Sequence, residues 1–580
     1  MSEFNYGDPI PLPIDRQKGK RKSDKLAAMH YAKKLSELEG LYVRGGNGVT
    51  EGLTLFDREV ANFRGWQEWA AQGFTTDLND TFAAEMCIGY ALRGAHLADL
   101  RLHPAERIRW LEVCILACHQ LGDRDNEGVG LNNLGLAWYA LGEAKKAIGF
   151  HEQRLTIAQA IGDRRAEGAT LNNLGNAWCA LGDVRKAIEF YEQYRATARE
   201  IGDHHGEGLA LGNLGNAWYT LGDARKAIMF YEQDLAISAQ TGDRRGEGTA
   251  LNNQGLAWAS LGEARKAIGF YEQALVVFLE TGDRRGERQA LNNLGTGWAA
   301  LSDVRKAIEF HNQTLTISRE IGDRRGEWQA LNNLGACWAA IGDPKKAMRL
   351  YNQTIAIARE IADRGGEGQA LNNLGAASSE LGDTGEAIGF YEQRLVIARE
   401  IEDRHGEAQS LDNLGLAWAA FGDAKKAIGF YEQALTIARE IDDRRSEGQI
   451  LRHQGRAWTD LGDVSKSLEF CEQALAIARE IADRRGEGQT LHNLGLAWAT
   501  FGDAKKAIGF YEQALAISRE TCDPRTEGAT SFNLALALNS LGRCNQAVSQ
   551  AEHALDIFIS INHPQADIVR QAIAQWRNKS

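Results

Sequence analysis

A 40-residue period governs this chain. The string LNNLGLAWYALGEAKKAIGF begins at Leu131, and near-copies begin at Leu171, Leu211, Leu251, Leu291, Leu331, Leu371, Leu411, Leu451 and Leu491. A decayed eleventh copy begins at Ser531, and the array covers 131–570 without insertion or deletion. Such a chain cannot wrap one central core. Each copy must be a small unit that buries its apolar face against its neighbours.

The first copy shows what that unit is. Leu131, Leu134 and Trp138, followed by Leu141, form one apolar stripe at helical spacing, and Gly142 ends it. Ala147, Ile148, Phe150, Leu155 and Ala158 mark a second helix that ends near Gly162. Small residues at Gly135 and Ala147 mark where the two helices approach closely. The spacing predicts an all-α solenoid of about eleven 40-residue helix hairpins.

Between copies runs GDRRGEG. Asp163 and Glu167 have counterparts in all eleven linkers, from Asp123 and Glu127 to Asp523 and Glu527. Paired carboxylates suit acid–base catalysis, but no reaction needs the pair eleven times. An Asp at a helix start accepts backbone N–H bonds and a Glu in the first turn meets the helix dipole, so capping is the expected role. The linker arginines form a ladder of their own: Arg164 and Arg165, Arg244 and Arg245, Arg284 and Arg285, Arg324 and Arg325, Arg444 and Arg445, Arg484 and Arg485. They are expected to pair with the nearby acids as a solvated edge. Contact with an acidic peptide or a phosphate backbone is the other reading of them.

Leu134, Gly135, Trp138, Ala147 and His151, with an Ala in five of the eleven units at the column of Arg154, resemble the signature of the tetratricopeptide repeat in a long-helix form. NLGNAWCALGDVRKAIEFYEQ at 173–193 is similar to the repeats of the LGN/Pins adaptors, of kinesin light chains and of many bacterial repeat proteins. The resemblance implies an α-α superhelix that binds a protein or peptide partner in its concave groove.

A second stripe on the first helix of each unit, Val129, Asn133, Leu136 and Ala140, is predicted to line that groove. Asn133 stands about 200° around the helix from Leu131. Its column reads Asn133, Asn173, Asn213, Asn253, Asn293, Asn333, Asn373, Asn413, His453, Asn493 and Asn533. Asparagine is a weak helix former but carries donor and acceptor on one short amide. The resemblance implies that these amides grip the backbone of an extended peptide; bonds to neighbouring helices are the alternative. A second column passes from Val129, Ala169, Leu209 and Thr249 to Gln289, Gln329, Gln369, Gln409, Gln449 and Gln489, so the groove is expected to be apolar early and polar late. Tyr139 and Tyr219, with Asn176 and Asn216, enrich the early part. Arg452, His453, Arg456 and Asp460 make unit nine the outlier and a candidate specificity site. Unit seven loses its Trp to Ser378 and gains Glu380, a candidate soft point. Asn176 and Asn216 match asparagines of the chaperone-binding carboxylate clamp. Its lysine positions hold Asn172 and Gly212, so no chaperone-tail binding is expected.

The ends differ. Residues 1–23, with a basic run at Arg16–Lys22, read as a disordered tail. Residues 24–120 read as an N-terminal helical domain with helices near 24–43, 52–72, 79–99 and 104–120, the last pair forming a degenerate capping repeat. The superhelix is expected over 121–562 and a capping helix over 563–580. LTLFDREVANFRGWQEWAA at 53–71 resembles the segment that precedes the repeats in bacterial NB-ARC and other STAND-type signalling ATPases. No GxxxxGK[ST] loop occurs, so that resemblance implies a sensor acting with a separate ATPase or effector.

Other classes are disfavoured. The net charge of −12 argues against a general nucleic-acid binder. The eight cysteines form no CxxC pair, and although Cys114, Cys118 and His119 share a helical turn, no second ligand pair accompanies them. No nucleophile–base pair, metal cluster or cofactor motif stands out, so an enzyme is not expected. No membrane span or apolar leader is seen, and a reducing cytoplasm is the expected setting.

Overall fold

The structure, a computed structural model, describes residues 18–561 and 563–577. Its regular elements are all α-helices, with no strand among the described residues. The chain divides into two compact units between Ala290 and Leu291.

The first unit opens with α1 (Lys18–Val43), α2 (Asn47–Thr76), α3 (Thr81–Leu92), α4 (Ala95–Arg101) and α5 (Pro104–Leu121). Two features differ from expectation. Helix α1 starts inside the stretch read as a tail; lysine and arginine are good helix formers and no proline follows Pro13 until Pro104. Residues 1–17 of that stretch lie outside the described residues. The helix expected at 79–99 is two, broken at Arg93–Gly94. A Cβ on Gly94 would stand 2.5 Å from Leu35 Cδ1, so α1 occupies the space a continuous helix would need. Phe56, Phe63, Phe74, Tyr90 and Leu97 are buried together, and the core continues into Leu134 and Ala137 of the first hairpin. The Tyr90 hydroxyl donates to Ala28 O at 2.7 Å.

Hairpins follow, each with a first (A) and a second (B) helix. In the first unit they are α6 (Arg124–Ala140) with α7 (Ala144–Ile161), α8 (Arg164–Ala180) with α9 (Val184–Glu200), α10 (His204–Thr220) with α11 (Ala224–Thr241), and α12 (Arg244–Ser260) with α13 (Ala264–Thr281). The division falls within α14 (Arg284–Ala300), whose B helix is α15 (Val304–Glu320). The second unit continues with α16 (Arg324–Ala340) and α17 (Pro344–Glu360), α18 (Arg364–Leu381) and α19 (Thr384–Glu400), α20 (Arg404–Ala420) and α21 (Ala424–Glu440). It ends with α22 (Arg444–Asp460) and α23 (Val464–Glu480), α24 (Arg484–Phe501) and α25 (Ala504–Glu520), α26 (Pro524–Ser540) and α27 (Cys544–Ser560), and α28 (Ala566–Arg577). Val569, Ile573 and Trp576 of α28 bury against Phe558 and close the last hairpin.

A and B helices meet where glycine faces an aromatic ring. A Cβ on Gly175 would lie 2.4 Å from Tyr191 Cε1, so only glycine admits that ring. The last hairpin solves the same contact with Ala535 against Ala551, both fully buried. Linker aspartates cap the A helices as expected: Asp163 Oδ1 accepts from Ala166 N at 2.9 Å, a contact worth about 1 kcal/mol. The linker glutamates do more than meet the dipole. Glu167 is buried and pairs with Arg164, and in the next linker Glu207 pairs with Arg199 at the end of a B helix.

A further contact repeats on the outer side. Each repeat tryptophan carries a lysine ammonium over its face, as in Lys186 over Trp178 at 3.8 Å and Lys506 over Trp498 at 3.9 Å. The seventh hairpin lacks both partners, with Ser378 for Trp and Glu386 for Lys. Ser378 is fully buried there and its hydroxyl has no hydrogen-bond partner. The cation–π contact, roughly 0.5–1 kcal/mol at such sites, is lost together with the ring's packing.

Candidate binding face and its asparagine ladder

Positions 131 and 134 of each A helix point into the hairpin core, which leaves 133 toward the preceding A helix and 132 toward the following one. The two columns bond to each other across hairpins. Asn173 Nδ2 donates to Asn132 Oδ1 at 3.0 Å and Asn213 to Asn172 at 2.8 Å in the first unit. In the second, Asn333 donates to Asn292 at 3.0 Å, Asn373 to Asn332 at 2.9 Å and Asn413 to Asn372 at 2.8 Å. In these five hairpins the repeated asparagine therefore has a structural job: it ties the A helix to the one before. These rungs use one N–H; Asn173, Asn213, Asn333, Asn373 and Asn413 are half-buried, and their side-chain oxygens accept no hydrogen bond among the described residues. Asn133 accepts a long bond from Asn132 at 3.4 Å, and Asn293 lies in the same column on α14.

The ladder changes at two places. In the third hairpin the partner column holds Gly212, and Asn253 has no hydrogen-bond partner among the described residues. The space is taken by Asp234 from α11: a Cβ on Gly212 would stand 3.1 Å from its Oδ2 and one on Gly208 3.2 Å from its Oδ1. Asp234 is 8% exposed, its hydrogen bond from Ser238 Oγ is 3.5 Å long, and no cation among the described residues pairs with it. Burial pushes its carboxyl up to about 7. In the ninth hairpin the rung is His453 Nδ1 to Asp412 Oδ1 at 2.8 Å, and Gln449 Nε2 donates to Asp412 Oδ2 at 3.0 Å. Asp412 is 3% exposed but fully partnered. The next rung runs from Asn493 Nδ2 to the backbone oxygen of Arg452 at 3.3 Å, which leaves the Arg452 side chain out of the ladder.

The remaining candidate residues are spread along the same face. Gln289 and Gln369 are exposed and Gln329 is half-buried. Val129 and Leu209 are 41% and 49% exposed, so the first unit does present more apolar surface there. Asn176 and Asn216 already serve their own hairpins, accepting from the hydroxyls of Tyr191 and Tyr231, each at 2.8 Å. Arg456 is exposed and paired with Asp460 at 3.1 Å, whereas Arg452 is half-buried beside Gln489.

The linker arginines form an acid–base edge, interrupted in the first unit where His204, Ala239 and Leu279 stand in arginine columns. Arg164 bonds Glu167 and Glu200, and Arg364 bonds Glu367 and Glu400. The second arginine reaches the next cap, as in Arg245 to Asp283 at 2.8 Å and Arg485 to Asp523 at 3.0 Å. Two buried histidines at the aromatic position, His151 and His311, are each held by burial down at about 4 and are therefore neutral near pH 7. Cys114 and Cys118 are buried with their sulfurs 4.0 Å apart, while His119 is exposed and reaches Glu127 instead. The sequence reading missed the partner column of the ladder and the Lys–Trp contacts. Both had a signal in the columns: Asp412 appears where His453 does, and Glu386 where Ser378 does.

A family model described as tetratricopeptide repeat matches residues 127–200, 166–240, 286–360, 366–440 and 447–520. The chain belongs to the tetratricopeptide repeat family. No curated protein matches this tetratricopeptide repeat chain. Solved structures similar to it include BtubC from P. vanneervenii, at 26% identity and TM-score 0.35 over 38% of this chain and 92% of that one. The apo form of the quorum sensor NprR from B. thuringiensis is similar at 15% identity and TM-score 0.43, over 62% and 99% of the two chains. A STAND protein with a tetratricopeptide repeat sensor from Pyrococcus horikoshii is similar at 17% identity and TM-score 0.42, over 69% and 68%. No helix among the described residues is long and apolar enough to cross a membrane.

Proposed function

We propose that this protein is a non-catalytic scaffold that holds an extended segment of a partner protein along the face of its A helices. The observation that carries this reading is the half-satisfied ladder. Each of the rungs from Asn173, Asn213, Asn333, Asn373 and Asn413 fixes a carboxamide through one N–H and leaves its oxygen at the face, ready to accept from a peptide backbone. A pre-oriented amide loses little rotamer entropy on binding. Gln289, Gln329 and Gln369 extend the polar face by one helical turn and carry no rung.

The test is partner capture from the native host with two triple variants. In one, Asn333, Asn373 and Asn413 become Ala; in the other, Gln289, Gln329 and Gln369 do. Each lost amide contact is worth roughly 0.5–1.5 kcal/mol, so a triple change weakens binding by about tenfold or far more. The glutamine variant keeps every rung and its melting curve is expected to match the parent. Undiminished capture by both variants, with folding intact, sinks the groove reading.

A second reading is a sensor acting with a separate signalling ATPase. It is supported by the 53–71 segment, which lies within α2 and packs Phe56, Phe63, Trp66 and Trp69 into a core that runs on into the first hairpin. ATP hydrolysis by a genomic-neighbour ATPase, measured with and without this chain, tests it; no change discards it.

A further inference from the structure

Two exceptions to the repeat fall in the third hairpin, and they meet. In the column of Arg154 on the B helices, only α11 carries a carboxylate, Asp234, where five of the eleven hairpins have alanine. In the partner column of the ladder, only α10 lacks a side chain, at Gly212. Only the carboxyl of Asp234 comes within 4 Å of where a Gly212 Cβ would be, with Oδ2 at 3.1 Å. The carboxylate therefore floors the gap that the missing side chain leaves. Asn253 stands across that gap on α12, at the register of a rung, with no partner among the described residues.

The surroundings hold no charge to offset Asp234. Its Oδ1 is turned toward Gly208, one helical turn from Gly212, and takes the long bond from Ser238. The flanking linker arginines are committed elsewhere: Arg199 to Glu207, Arg244 to Glu247 and Glu280, Arg245 to Asp283. Asp243 acts on Asp234 with the same sign while capping α12 at Gly246 N, 2.9 Å away. A carboxylate left 8% exposed without a cation is costly, and the same burial strengthens its hold on a cation brought from outside.

We propose that the gap at Gly212 seats a lysine side chain of the partner segment, whose ammonium donates to Asp234 Oδ2 and to the side-chain oxygen of Asn253. An ammonium fits better than a guanidinium. The planar fork of arginine wants both carboxylate oxygens side by side, whereas here the two oxygens face different glycines and only Oδ2 opens on the gap. A lysine brings a compact charge with three donors on a slender four-carbon stem, suited to a buried acceptor. A terminal amine would have to bring its backbone into a space one side chain wide. A divalent ion takes about six or more oxygens, beyond what one carboxylate and one amide supply. A partner carboxylate would meet like charge. That the lysine arrives on a peptide rests on the proposed scaffold function; the chemistry of the gap does not.

The experiment is saturation-transfer NMR on the full chain at pH 8, where Asp234, with its value of about 7, is charged. The probe is millimolar acetyl-lysine methylamide. Transfer to its ε-methylene is expected to saturate with probe concentration and to fall several-fold in Asp234→Ala, which installs the residue that five hairpins carry in this column. Gly212→Asn restores the commonest residue of its own column and closes the gap, with the same expected loss. Acetyl-norleucine methylamide, which keeps the stem without the charge, is expected to give no transfer that either variant removes. Unchanged lysine transfer in Asp234→Ala overturns the proposal, as does a norleucine signal lost in step with that of lysine. An arginine counterpart that binds Asp234 as well as lysine overturns the assignment to an ammonium. Alanine methylamide carries a free α-amine, and Asp234-dependent binding of it alone overturns the assignment to a side chain. The probes are too short to reach two rungs, and Asn333, Asn373, Asn413 and the three glutamines lie in other hairpins. A lysine bound at Asp234 while the groove variants capture undiminished therefore sinks the groove and leaves this site standing, and the reverse result does the opposite.

Discussion

The third and ninth hairpins break the same ladder in opposite ways. In the third, Gly212 removes a side chain and a carboxylate from the helix behind, Asp234, moves into the gap without a cation or a strong donor. At the ninth, the partner column of the hairpin before it holds Asp412, which stands in the ladder itself, and His453 and Gln449 satisfy both of its oxygens. Two aspartates of nearly equal burial thus have opposite worth, because a buried charge is judged by its partners. A repeat array makes this visible: the surrounding backbone is the same, and only the partner residues change.

The largest expected effect is at Asp234. Its folded value near 7 lies above the ordinary carboxyl range, so the folded state holds the proton more tightly than the unfolded chain. Stability contributed by this group is greatest at acid pH, falls as pH rises from about 4 toward 7, and is level beyond. The loss is on the order of 4 kcal/mol across that window. Asp234→Asn is therefore expected to raise amide-exchange protection of α10 and α11 at pH 8 and to change little at pH 4. Asp412→Ala is expected to do the reverse in kind, lowering protection of α20 and α22 by about 1–3 kcal/mol because two buried donors lose their acceptor. Equal signs at the two sites would break the comparison. Local exchange is the right measure, since long arrays need not unfold in one step.

The buried histidines sharpen it from the acid side. His151 and His311 lie below their ordinary value because burial disfavours the cation, so their contribution is complete above about 6.5 and is lost as pH falls toward 4. His151→Tyr, the residue at this position in seven other hairpins, is expected to protect α6 and α7 at pH 4 by on the order of 3 kcal/mol. An unchanged acid limb would show that the ring stays neutral at no cost.

How much of this was legible depended on whether the information was periodic. The helix hairpin, the Asp caps and the Gly135-type contacts repeat at fixed offsets, and one period sufficed to read them. The ladder was half legible: the asparagine column stands out in the sequence, but the bond of Asn173 runs 41 positions back to Asn132, an offset that no single helix displays. The break at Gly94 was out of reach, because Leu35, which causes it, lies in another helix far back in the chain.

The smallest effects concern the residue that ends each B helix. Gly162, Gly202, Gly242, Gly282 and Gly322 occupy the left-handed region with φ between 65° and 74°. Later linkers place Ala362, Glu402, Asp442, Ala482 and Cys522 there instead, with φ from 49° to 56°. The turn is unchanged: Asp363 N still donates to Ala358 O at 2.8 Å, as Asp203 N does to Ala198 O. A side chain in this conformation costs about 1–2 kcal/mol against glycine, partly offset by glycine's freedom when unfolded. Ala362→Gly and Ala482→Gly are thus expected to gain about 0.5–1 kcal/mol each in local exchange stability, and Gly202→Ala to lose as much. Asp442→Gly should gain less, since aspartate tolerates this region better than alanine. A gain at Asp442 equal to that at Ala362 would mean that the later linkers relieve their strain in some way other than local hydrogen bonding.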